Sequence, residues 1–162
     1  MTTARRALLI DCDTGIDDAL ALLYACASPE AEIAGVGCVA GNVELLHIVR
    51  NTLTVLELAG RAEIEVAAGC AAPIARPLRT AGDTHGPTGL GYASLPARSC
   101  APGPRDAAQL FIDSAQARPG ELTLVTLGPL SNVAVAVQRK PSLPHLLTGL
   151  VMMVGAYRSP GN

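Results

Sequence analysis

Short apolar runs alternate along the chain with longer segments whose apolar residues recur about every three to four positions. The run ALLIDC (7–12) reads as a buried strand. DDALALLYACA (17–27) reads as a helix opening on acidic residues, which complement the positive end of the helix dipole. EIAGVGCVA (32–40) predicts a second strand, VELLHIVRNTLTVLELAG (43–60) a long helix closed by Gly60, and IEVAAG (64–69) a third strand. A Pro- and Gly-rich stretch, 70–104, follows and contains DTHGPTGLGYA; a connection this long inside a compact domain is expected to carry function. The pattern resumes with a helix near 105–117, a strand at 121–127, a helix at 129–140 with Pro129 at its start, and a strand at 149–156. Apolar strands separated by helices predict an α/β fold: an open, mostly parallel, Rossmann-like sheet with helices on both faces.

In such a sheet ligands bind outside the carboxyl ends of the strands, and the polar residues of this chain gather there. Asp11 and Asp13 end the first strand, Asn42 follows the second, His85 lies in the long connection after the third, and TLGPLSN follows the next. Composition narrows the possibilities. The chain has 162 residues, about one domain, and with only 16% charged residues and a net charge of −2 it has no basic patch suited to nucleic acid. No run is long and apolar enough to predict a membrane span, and no apolar core follows Arg5 and Arg6 as a leader would require. Five scattered cysteines, without a C-x-x-C pair, read as buried small hydrophobes of a reducing compartment, which suggests the cytoplasm. Cys12, flanked by two carboxylates that would raise its pKa, reads as structural.

Asp11, Asp13, Asp17 and Asp18 crowd into LLIDCDTGIDDALALLYA. Helix capping accounts for Asp17 and Asp18 but not for the other two. Four carboxylates this close need a cation, a shared proton or backbone donors, and an all-oxygen cluster suits a hard divalent ion. One reading is similar to a haloacid-dehalogenase-like phosphatase, with Asp11 as nucleophile, Asp13 as acid/base and Thr126 as the later hydroxyl. That pattern expects Gly-Thr straight after the second Asp; this chain has Thr14-Gly15 and leaves Asn42 and His85 without roles.

A second resemblance covers the whole chain. LLIDCDTGIDDALAL resembles the opening signature of the inosine–uridine-preferring nucleoside hydrolases. VAGN (39–42), HGPTGLG (85–91), LVTLGPLSNVA (124–134) and MVGAYRSPGN (153–162) are similar to later segments of that family, in the same order. The resemblance implies hydrolysis of the N-glycosidic bond of ribonucleosides by a water bound to Ca²⁺. Asp13 would be the catalytic base and a calcium ligand, with Asp18 and the backbone carbonyl of Leu127 as further ligands. Asp17, Asn42 and Asn162 would hold the ribose, His85 would lie beside the base, and Asp11 would support the site from behind. It also implies a role in purine or pyrimidine salvage, and a homodimer or homotetramer when full length. Val154 stands where the family usually has Gly. The family's later Glu-Phe-Asn cluster and His-Asp pair have no match here. Residues 1–162 are therefore expected to be the N-terminal part of a single nucleoside hydrolase domain; the alternative is a non-catalytic ribose- or calcium-binding remnant.

Overall fold

A computed structural model describes residues 5–96, 100–156 and 158. Five strands and six helices alternate: β1 (Arg6–Cys12), α1 (Ile16–Ala27), β2 (Ala31–Cys38), α2 (Leu45–Leu58), β3 (Val66–Ala68), α3 (Gly82–His85), α4 (Ala107–Ala117), β4 (Leu122–Thr126), α5 (Ser131–Arg139), α6 (Leu143–Leu146) and β5 (Gly149–Met152). All pairings are parallel and the sheet order is β3-β2-β1-β4-β5. The chain builds outward from β1 to β3, then returns to the other side of β1 with β4. The point where the winding reverses lies between β1 and β4, where open α/β sheets form their ligand crevice.

The two faces of β1 divide the core. Ile10 and Cys12 join Leu22 of α1 and Ile48, Leu53 and Leu56 of α2 on one face. Ala7 and Leu9 pack on the other against Leu110 and Phe111 of α4 and Ala136 of α5. By the same alternation Asp11 points toward α5, away from α1 and α2. A bulge in the β1·β2 pairing, between Leu8 and Leu9, shifts the register by one residue. Beyond it Asp11 pairs with Gly37 and Cys12 with Cys38, which puts both thiols on the α2 face.

The doubly covered parallel sheet follows from strands that are apolar on both sides, as the pattern predicts. Differences lie mainly at the element ends. β5 stops at Met152 rather than continuing to 156, and β3 is three residues rather than six. The long connection contains a single turn of helix, α3, and a second short helix, α6, precedes β5. Only two of the five cysteines are buried. Cys12 and Cys38 sit inside the sheet, whereas Cys26, Cys70 and Cys100 lie at helix and loop margins where one side meets solvent.

Candidate active site

Three chain segments converge at the carboxyl end of β1. The first, Asp13-Thr14-Gly15, turns the chain from strand into α1 and is buried throughout. The second is the β2–α2 connection. There the Asn42 N–H donates to Asp13 Oδ2 at 2.9 Å, and its Nδ2 donates to the Asp13 carbonyl at 2.9 Å and to Asp18 Oδ2 at 3.2 Å. The third follows β4: the Leu127 N–H donates to the Asp11 carbonyl at 2.8 Å, extending the ladder by one rung. Gly128 comes next and lies against the Asp13 carboxylate.

Asp13 fits only because two neighbours lack side chains. A Cβ on Gly128 would stand 2.6 Å from Asp13 Oδ1, and one on Gly41 would collide with Oδ2. The carboxylate is thus clasped between the β2–α2 and β4–α5 turns. Asp18, in the first turn of α1, divides its two oxygens. Oδ2 accepts from the Gly15 N–H at 3.0 Å, a capping contact, while Oδ1 is buried without a partner. Capping therefore explains half of this carboxylate. Asp17, the next residue back, is exposed.

Asp11 lies behind this pair, fully buried. Its Oδ1 accepts from Asn132 Nδ2 at 2.8 Å, while Oδ2 has no partner. Its register neighbour on β4, Thr126, also has a buried and unpartnered hydroxyl. Asn132 was not singled out by the sequence reading, although it stands in the LSN segment. It also donates to the Cys38 carbonyl at 3.0 Å and accepts from the Cys70 N–H at 2.7 Å. One amide thus ties together the ends of β1, β2 and β3. The signal available in the sequence was a polar pair, Ser131-Asn132, opening a helix that continues with apolar residues. With Asp11 sealed in this way, an incoming phosphate cannot reach it, and the phosphatase reading loses its nucleophile.

The site carries the electrostatic signature of clustered carboxylates. Burial, then the charge of Asp18, raises Asp13 from 3.8 to about 7. Burial raises Asp11 to about 8 against the opposing Asn132 hydrogen bond, and burial raises Asp18 as well. In all three groups burial disfavours the ionised form, a cost that a nearby positive charge would offset.

His85 ends α3, and its Nδ1 accepts from the Ile16 N–H at the start of α1, at 3.2 Å. An Nδ1 that accepts carries no proton, so its 3.8 Å approach to Asp17 is proximity rather than an ion pair. The contact pins the loop to the aspartate turn. Asn162 lies outside the described residues. Asp13 and Asn42 open into a cleft of about 1010 Å³, whose lining also includes Ala81, Asp83, Thr84 and Pro129.

The donor set suits a hard cation. Asp18 Oδ1 is an orphaned buried oxygen beside Asp13, and two raised carboxylates would fall back to ordinary values against a positive ion. Among the described residues no three His, Cys, Asp or Glu side chains cluster as a metal centre, so such an ion would need backbone and substrate oxygens too. Among the described residues, no helix is long and apolar enough to cross a membrane.

The family model for inosine-uridine preferring nucleoside hydrolases matches residues 8–162. Uridine nucleosidase 1 of Arabidopsis thaliana is 40% identical over 96% of this chain and 46% of its own length. The inosine-uridine preferring nucleoside hydrolase of Leishmania major is 38% identical over 95% of this chain and 50% of its own. Among solved structures, a plant nucleoside hydrolase superposes with a TM-score of 0.90 at 36% identity, over 97% of this chain and 50% of that one. The chain spans about half the length of the curated relatives it matches.

Proposed function

The chain belongs to the inosine-uridine preferring nucleoside hydrolase family, and on that basis we propose that the protein hydrolyses the N-glycosidic bond of ribonucleosides, releasing free base and ribose. Residues 1–162 form the N-terminal part of a single catalytic domain and carry its carboxylate half. One observation supports this reading most: Asn42, which with Asp13 lines an open cleft, bridges Asp13 to Asp18, whose Oδ1 is left unpartnered.

Each residue has a task in that chemistry. Asp13 is the general base, placed at the cleft to take the proton of the attacking water. Its negative charge, with that of Asp18, also stabilises the oxocarbenium character that grows on the sugar as the base departs. Asp17, exposed at the start of α1, accepts from a ribose hydroxyl, and Asn42 and Asn162 bind the same sugar. Asn42 Nδ2 is already committed to Asp13 and Asp18, so its Oδ1 is the atom that meets the ribose. His85 lies toward the base, held by its bond to Ile16. Asp11 and Asn132 stiffen the strand end from which Asp13 projects. A calcium ion held by Asp13, Asp18 and the Leu127 carbonyl would supply Lewis-acid polarisation of oxygens in the cleft. Salvage of purines or pyrimidines in the cytoplasm, by a homodimer or homotetramer, is the setting that fits this activity.

The test is release of base and reducing sugar from uridine and inosine by the intact protein, with calcium and then with excess chelator. Calcium-dependent release that disappears in Asp13→Ala is expected. No release from any purine or pyrimidine riboside would refute the proposal; calcium-dependent ribose binding without release would leave a non-catalytic binder.

A further inference from the structure

Asn51, in the middle of α2, lies near Ile48 and Val55 on the buried helix surface; the other buried polar residues of the helix, Thr52 and Thr54, bond back to their own helix carbonyls. It is 1% exposed. Asn is a poorer helix former than Leu, and burying its amide is unfavourable unless both ends find partners. A residue serving the core alone would be apolar here. Asn51 instead uses its Nδ2 to reach two backbone carbonyls that lie outside regular structure and far apart in sequence. It donates to Thr14 at 3.2 Å, in the aspartate turn, and to Thr88 at 2.8 Å, in the segment that follows α3.

The segment so held continues directly from Asp83 and Thr84, which line the cleft. It folds on itself through Gly89 N–H to the Gly86 carbonyl, at 3.2 Å, and Gly91 N–H to the His85 carbonyl, at 2.7 Å. Among the described residues, three hydrogen bonds fasten it to other parts of the molecule, each from a different element. The Ala81 N–H donates to the Asn42 carbonyl at 2.9 Å, the Ile16 N–H donates to His85 Nδ1, and Asn51 donates to Thr88. The first two lie at the near end of the segment. Asn51 alone among these three holds its far end, and it alone refers that end to the turn bearing Asp13. Residues 81, 83 and 84, just before the Asn51 attachment, line the same cleft as Asp13 and Asn42.

We propose that Asn51 is a positioning residue: it sets the distance between the 82–91 segment, whose first residues line the cleft, and the aspartate turn, and so sets how tightly the cleft closes on a nucleoside. Its effect on turnover rests on the proposed hydrolase activity, whereas its effect on the segment does not. Removing the amide leaves the carboxylates in place but frees the segment that continues from the cleft lining, so substrate affinity suffers more than the chemical step.

The experiment compares the intact protein with Asn51→Leu, which keeps the volume, and Asn51→Asp, which keeps the shape but carries no donor. Backbone hydrogen exchange across 86–91 is measured first, then KM and kcat for uridine and inosine. Exchange in 86–91 is expected to rise about tenfold in both variants, the scale of one lost buried hydrogen bond. KM should rise about tenfold, with kcat changed by less than about threefold. Unchanged exchange in 86–91 overturns the proposal, as does a rise spread evenly over the whole chain, which marks general destabilisation. Faster exchange with an unaltered KM also overturns it. If the unaltered protein hydrolyses no nucleoside while exchange still rises locally, the functional reading fails and the positioning of the segment by Asn51 is upheld.

Discussion

Replacing the proposed catalytic base should make the cation-free protein more stable. Asp13 is 6% exposed, and its carboxyl is raised from 3.8 to about 7, chiefly by burial and then by Asp18. Near pH 8 the folded protein holds this group ionised in a place that resists the charge, while the unfolded chain holds it ionised in water. A rise of about three pK units corresponds to about 4 kcal/mol against the folded state. The sign follows from proton binding. Between about pH 4 and 7 the folded state binds the extra proton, so stability falls as pH rises through that window. Asp13→Asn removes the charge and keeps an oxygen to accept from the Asn42 N–H. Its new amide N–H groups lie among crowded turns, a cost of about 1–3 kcal/mol. A net gain of about 1–3 kcal/mol near pH 8 is expected in urea unfolding with chelator, turning into a loss of about 1–3 kcal/mol near pH 4, where only the cost of the new amide remains. Calcium should reverse the order, stabilising the unaltered protein and leaving the variant unmoved. A variant equally destabilised at both pH values in chelator would refute the reasoning, since Asp13 would then be no electrostatic burden on the empty site.

Two further outcomes follow from the same geometry. Calcium affinity measured by calorimetry should weaken about tenfold per pH unit below about pH 7, as the proton on Asp13 competes with the ion, and binding should release protons into the buffer. Gly128→Ala places a methyl 2.6 Å from Asp13 Oδ1; thermal unfolding should show a loss of about 1–3 kcal/mol and little remaining stabilisation by calcium.

The sequence by itself determined the layers and the gathering of acidic residues at the end of the first strand. Periods of two or of three to four are local, so runs such as ALLIDC and VELLHIVRNTLTVLELAG state which faces are buried without reference to the rest of the chain. The aspartate cluster was legible for the same reason, since all four acids lie within one strand-to-helix turn and no capping role absorbs them all. The His85 loop, too, was visible in its Gly-rich composition, and its organising contact is with the start of α1.

Tertiary structure alone decided which oxygens are satisfied. Asp11 and Asn132 are 121 residues apart and meet only because β4 is laid beside β1, so that the helix after β4 begins behind the first strand. Thr126 becomes a buried neighbour of Asp11 through the same pairing. Gly41 and Gly128 look like ordinary turn residues in the sequence. They are required because two turns, from strands on either side of β1, close on one carboxylate. Asn51 reads as one polar residue in an amphipathic helix until Thr14 and Thr88 are brought to it. Strand order is a long-range property: it follows from how the packed faces fit together, and no local window of sequence contains it.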